Sequence, residues 1–337
     1  MALHQAIQRL LLLGVRLQTQ PAPPAPQPPP RLLPLIAALA PAHHAFDQRA
    51  IHFGHRYRSG YWAIYMLSAV AVLFAVMPLA LGWDDSRHVL HPFVGLWALG
   101  EVGVIGAVAA IYWRGYRSDW QGQWLHARTT AELTWYLPLV APLVDFTSLD
   151  GGNWYTRVLD PGHPLDDADD VAALCARNES LARTLLEHAL TDREFVASYA
   201  RWTIDILAGQ KHYHHRVAIR QDALLHRVHR VNSWLFGLTG VGALMHLAVH
   251  NLWLSIITTF FPALGAGLHG ALAQSEAYRL GATSERLVGE LQAAIDKIRA
   301  AADADTLQAS IEAAIALILE EHQDWHMLVR PHHLPLG

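Results

Sequence analysis

Apolar residues along this chain of 337 residues gather into four runs, at positions 61–81, 93–113, 233–249 and 253–273, set out as two close pairs far apart in sequence. Crossing the hydrocarbon core of a bilayer takes about 20 helical residues. The runs therefore predict four transmembrane helices in two hairpins. Their purity differs: Ser68 is the one conspicuous polar residue of the first, the second contains Glu101, and the fourth contains His269 near its end. The third is the shortest, holds His246 and turns almost at once through His250 and Asn251 into the fourth. A short apolar run also suits a re-entrant segment, so the third is read as a full span with a shallow course as its alternative.

Arginines flank the runs on one side. Arg56 and Arg58 precede the first hairpin, Arg114 and Arg117 follow it, and Arg227 and Arg230 precede the second. The tip at 83–92 sets Asp84 and Asp85 against Arg87, and the second tip has neither Lys nor Arg. Short cytoplasmic flanks are enriched in Lys and Arg. Both termini and the middle of the chain are thus predicted to be cytoplasmic, as in a multi-pass membrane protein. Trp62, Trp83, Trp113, Trp234 and Trp253 stand near span ends, where an amphipathic ring favours the interface.

The polar stretches between and beyond the hairpins carry a helical period. From Tyr116, the residues Trp120, Trp124, Ala127, Ala131 and Trp135 share one face of a helix, with Pro138 and Pro142 as its expected end. A turn-rich stretch at 145–164 follows, and a helix with an acidic first turn, including Asp169 and Asp170, runs over 166–188. Another helix is predicted from Thr191, which with Glu194 resembles a capping box, running unbroken into the third span. Beyond the fourth span the helix is expected to continue, since Leu280, Leu287 and Ala294, with Ser284, Leu291 and Ile298, recur at coiled-coil spacing. A last helix covers Thr306 to about His326. The fold class is an all-α membrane protein, its four transmembrane helices in two hairpins with long cytoplasmic helical extensions.

Four segments follow. Residues 1–50 hold an amphipathic helix and a Pro-rich linker, too short of apolar residues for a signal peptide. Residues 51–145 form the first hairpin and its cytoplasmic helix, 146–190 a loop and helix, and 191–337 the second hairpin with its helices. His55-Arg56 and His226-Arg227 before the hairpins, and the threonine-rich acidic stretches at 128–133 and 282–287 after them, read as a weak internal repeat.

Composition narrows the function. Charged residues make up 16% and hydrophobic residues 52%, against about a quarter charged in soluble domains, which leaves a membrane protein with a substantial polar part. The net charge of −4 and the clustering of basic residues at the span borders argue against nucleic acid. A single cysteine, Cys175, excludes an internal disulfide framework. Ionisable residues inside a bilayer are costly and usually functional, so Glu101, His246 and His269 are candidate pore-lining or intramembrane polar residues. Glu101 lies among Gly95, Gly100, Gly103 and Gly106, a setting that allows close helix approach, and a ring of such carboxylates in an oligomer attracts cations. The 22 histidines raise an alternative, a di-iron membrane oxidoreductase ligated by His212, His214, His215, His322 and His326. Against it, no histidine box follows the second span, where only His126 occurs.

Trp62 entering a tight two-span unit, the following helix with Trp124, Arg128 and Glu132, and Gln210 with Tyr213-His214 ahead of the second unit resemble the bacterial SLATT superfamily. These are two-transmembrane effectors associated with nucleotide-sensing SMODS and SLOG proteins. The resemblance covers roughly residues 55–325 and suggests two copies in tandem. It implies an oligomeric, non-enzymatic, pore-forming or membrane-perturbing effector of anti-phage defence, with no cofactor. Its expected partners are the lipid bilayer, further copies of itself and a separate nucleotide-sensing protein. The further alternative is a non-conducting membrane scaffold.

Overall fold

The computed structural model describes residues 2–15, 17, 21–144, 168–249, 251–329 and 334, with the side chains of 168 and 319–329 left aside. The turn-rich stretch and His250 lie outside the described residues. Within them the chain is helical and contains no strand. Nine α-helices follow in order: α1 (Leu3–Leu11), α2 (Leu33–Ala80), α3 (Val94–Arg117), α4 (Trp120–Val140), α5 (Ala168–Leu186), α6 (Arg193–Ala248), α7 (Trp253–Gln274), α8 (Ala277–Ala300) and α9 (Ala304–Val329).

Four helical stretches are long and apolar enough to cross a membrane, and they cover the four apolar runs except for the last residue of the first and third. Large apolar side chains there stay uncovered: Leu99 and Val102 on α3, and Phe236, Leu244 and Leu247 on α6, are all exposed. A water-soluble chain rarely leaves so much contiguous apolar surface bare. The apolar segments form an open row, with α3 packed on α2, α2 on α7 and α7 on α6. Small residues permit the close crossings: a Cβ at Gly267 of α7 would stand 2.8 Å from the carbonyl oxygen of Tyr65.

The chain repeats one plan. A long helix (α2, α6) enters the apolar zone, a second helix (α3, α7) pairs with it, and after a sharp corner a third (α4, α8) returns along the polar half of the first. Each corner is made by an acidic residue in the left-handed region, Asp119 at φ 42° and Glu276 at φ 51°. That conformation is uncommon without glycine. At the first corner the Asp119 carboxylate accepts from the Gly122 N–H at 3.1 Å, capping α4.

Several expectations need correction. The helix read from Tyr116 is two, because Asp119 breaks it, and the one expected to run on past the fourth span breaks at Glu276. Pro138 lies inside α4 rather than ending it. The cap of α6 is Asp192, whose carboxylate accepts from the Glu194 and Phe195 N–H groups; the Thr191 hydroxyl turns back to the His188 carbonyl. The helix that leads into the first hairpin, α2, begins at Leu33. Pro34 sits in the first turn of α2, where its missing N–H costs nothing, and Leu35 and Leu39 are buried.

Two apolar cores organise the polar half. One joins Leu35 and Leu39 of α2, the end of α4, α5, Tyr199 and Trp202 of α6, and α8 with α9. The other lies nearer the apolar zone and joins Tyr57 and Trp62 of α2, Trp120 and Trp124 of α4, Leu224 of α6, and Leu268 and Leu272 of α7. The heptad residues Ser284, Leu287, Leu291 and Ile298 are buried within this same chain, α8 packing on α6.

Candidate functional site

Between those cores α2, α4 and α6 diverge around a cavity of about 930 Å³, bounded at one end by the α7–α8 corner and at another by α1. This size falls within the range of small-molecule sites, about 300–1,000 Å³. Helical spacing aims its walls: Ala50, Gly54, Tyr57, Arg58 and Tyr61 come from α2, Trp124, Arg128, Ala131 and Glu132 from α4, and Gln210, Tyr213, His214, Val217 and Arg220 from α6. Trp124, Arg128 and Glu132 on α4 and Gln210, Tyr213 and His214 on α6 therefore converge on one cavity, from helices far apart in sequence.

Hydrogen bonds tie the walls together. The His43 ring donates to the Ala131 carbonyl at 3.0 Å, Gln210 Nε2 donates to the Tyr136 hydroxyl at 3.1 Å, and Gln274 Nε2 donates to the Tyr57 hydroxyl at 3.2 Å. Arg128 and Glu132, one turn apart on α4, form an ion pair. Arg58 lies over the Trp124 ring, 4.7 Å from its centroid, within range of a cation–π interaction. Tyr57 stacks on the same indole at 5.5 Å, and burial pushes its hydroxyl up to about 12, so it stays neutral.

α1 closes one side. His4 is buried and its Nδ1 is hydrogen-bonded with the Ser59 hydroxyl at 3.2 Å. Arg220 donates to the Gln8 side-chain oxygen at 2.7 Å, and Arg227 donates to the Leu11 and Leu13 carbonyls at 2.8 and 2.7 Å. The last carbonyls of a helix lack intrahelical partners and carry the negative end of its dipole. Arg227 satisfies both needs for α1. Burial lowers the pKa of His4 to about 4, assisted by Arg58, His55 and Arg220; burial does the same at His214, to about 4, with Glu132 opposing.

The residues singled out in the apolar runs do not join this cavity. Glu101 is half-buried on α3 and has no hydrogen bond or ion pair among the described residues. Gly95, Gly103 and Gly106 face open space, and only Gly100 meets a neighbour, Phe74. The expected close packing of a glycine face is therefore realised within the chain at Gly100 alone. His246 is half-buried and His269 exposed, on different helices. Of the border arginines, Arg56, Arg114, Arg117 and Arg230 are exposed, Arg117 lying over Trp113 at 5.2 Å. Arg58 and Arg227 instead have inward roles, one on the cavity and one under α1, which a tally of border charges does not anticipate.

Of the proposed iron ligands, His212, His214 and His215 have described side chains. His214 is buried, its Nδ1 hydrogen-bonded with the Ser284 hydroxyl at 3.3 Å, whereas His212 and His215 point off other sides of α6. His322 and His326 belong to α9, with side chains outside the described residues. Among the described residues no three His, Cys, Asp or Glu side chains come together as a metal site.

The chain matches no protein family, no curated protein and no solved structure. Its chemistry has to be read from the cavity itself. That cavity holds guanidiniums, histidines and tyrosines, groups suited to recognising a polar or anionic ligand. Sequence reasoning missed Arg216, Arg220, His4 and His55 as cavity residues. The signal for α1 was its amphipathic pattern, which marks a helix that must cover something.

Proposed function

We propose that this chain is a multi-pass membrane effector of the bacterial inner membrane that assembles with copies of itself and conducts ions, or perturbs the bilayer, in response to a cytoplasmic signal. The observation that carries this reading is the continuity of α2 and α6: the residues that wall the cavity, Tyr57 and Arg58 on α2 and Gln210 and Tyr213 on α6, stand on helices that run unbroken into the apolar segments. A rigid helix passes a displacement at one end to the other. Signal reception and membrane response thus share two struts.

The open row of apolar segments supports assembly. Four spans in a row enclose no pathway alone, but the uncovered faces of α3 and α6 can be covered by lipid or by further copies, and Glu101 then contributes a carboxylate to each subunit. The SLATT resemblance adds anti-phage defence as the setting, and a nucleotide-sensing partner as one source of the signal. Arginine flanks orient the polar half, the cavity and both termini to the cytoplasm.

Reconstitution of the full chain into liposomes with an ion-flux readout tests this. Flux that appears with assembled protein, and whose cation preference weakens in Glu101→Gln, is expected. Sealed vesicles across every oligomeric condition would instead mean a non-conducting scaffold.

A further inference from the structure

The cavity carries positive charge that its own carboxylates do not match. Four guanidiniums line it, on Arg58, Arg128, Arg216 and Arg220, against the carboxylates of Asp47, Glu132 and Glu276. Glu132 is engaged with Arg128, and Glu276 lies 3.7 Å from Arg279 on the next turn of α8. Arg220 gives a hydrogen bond to the neutral side chain of Gln8. Arg58 and Arg216 have no hydrogen bond or ion pair among the described residues, and Arg58 has the Trp124 ring instead.

A guanidinium keeps its proton in any protein environment. Burial draws Arg58 below its ordinary value, Tyr61 and Tyr213 oppose this, and Arg128 and Arg220 add repulsion, so the cation remains and its surroundings disfavour it. Charge removed from water without a counter-ion is costly. A ligand anion would relieve that cost, and a fork of N–H donors suits phosphate oxygens. The Nδ1 of His55, which also lines the cavity, is buried without a partner.

The rest of the lining asks for more than a bare anion. Tyr57, Trp124 and Tyr213 supply ring surface beside the guanidiniums, and the volume far exceeds that of one inorganic phosphate. We infer that the cavity between α2, α4 and α6 binds an organic phosphate, its anionic group on Arg58 and Arg220 and its apolar or planar body against Tyr57, Trp124 and Tyr213, with α1 closing over it. The chain then carries its own receptor site rather than depending wholly on a sensing partner. A soluble phosphate ester and the headgroup of an anionic lipid share this chemistry. Tyr61 and Gln274, at the ends of two apolar segments, form part of the wall and leave the second source open. The inference stands on the cavity and does not need conduction.

The test is calorimetric titration of the full chain, in an uncharged detergent, with ATP and separately with dihexanoyl phosphatidylglycerol, sodium sulfate serving as the simple-anion control. Saturable binding of at least one organic phosphate, absent with sulfate, and weakened tenfold or more in both Arg58→Gln and Arg220→Gln but unchanged in Arg114→Gln, is expected. ATP binding alone identifies a soluble ester, and lipid binding alone a headgroup. If Arg58→Gln fails to fold, the exposed Arg220→Gln decides the matter. Failure of both probes to bind the wild type, or equal binding by wild type and the folded cavity variants, overturns the proposal whether or not liposomes conduct.

Discussion

The indole of Trp124 is seated on Gly54: a Cβ at residue 54 would stand 2.9 Å from its Nε1. This contact sets the distance between α2 and α4, and hence the width of the cavity whose wall both helices form. Gly54→Ala is expected to destabilise the protein by about 1–3 kcal/mol through overpacking, seen as an earlier thermal transition in detergent. Gly209→Ala, on the same cavity but with nothing within 4 Å, is expected to be neutral or to stabilise by up to about 1 kcal/mol. Equal effects from the two substitutions would contradict this packing.

The tether of α1 rests on Arg227, through its two bonds to the Leu11 and Leu13 carbonyls. Charge-assisted hydrogen bonds of this kind contribute about 1.5–3 kcal/mol each when buried and less when exposed. In Arg227→Ala, amide hydrogen exchange in α1 should quicken roughly tenfold or more, while α8 is unchanged. Unchanged protection of α1 would mean that its apolar face alone holds it.

Acid should loosen the same region. His4 and His214 titrate near 4 in the fold and near 6.5 when exposed. The unfolded or undocked chain therefore takes up protons that the folded one refuses, and stability falls as pH drops from about 6.5 to about 4, then levels. Each depressed histidine contributes on the order of 1–3 kcal/mol to that fall. A protonated His4 would also confront Arg58, His55 and Arg220, so α1 is expected to leave first. Thermal transitions of wild type and His4→Gln across this range check the sign: the variant should be less sensitive to acid.

Topology can be read cleanly because the one cysteine, Cys175, is fully buried and burial raises its thiol pKa well above the ordinary value. Thiolate is the reactive form, so the native protein should react slowly. A membrane-impermeant maleimide applied to whole cells should label Val89→Cys, which is 87% exposed at the first hairpin tip, and spare His229→Cys. The reverse pattern would invert the assigned orientation.

The apolar runs and the period of the polar helices were legible because burial and bilayer immersion both select residues at fixed spacing. What was not legible has local causes. The first half of α2 hid behind the Pro-rich linker read within residues 1–50, whereas Pro34 is in the first turn of a helix whose Leu35 and Leu39 are buried. The corners at Asp119 and Glu276 lack the glycine or proline that announces a break, and tertiary packing holds both in the left-handed region. The cavity could not be assembled from spacing, since His4, Arg58, Trp124 and Arg220 lie on four helices. Its residues on α4 and on α6 near Gln210 were singled out, but as a resemblance rather than as a place.

The central claim, that the apolar segments assemble into a conducting path, is met most directly by the reversal potential across a planar bilayer holding the full chain under a potassium chloride gradient. A potential displaced toward the potassium equilibrium value, and shifted toward zero in Glu101→Gln, is predicted. A bilayer that stays electrically silent with inserted, oligomeric protein would contradict the account.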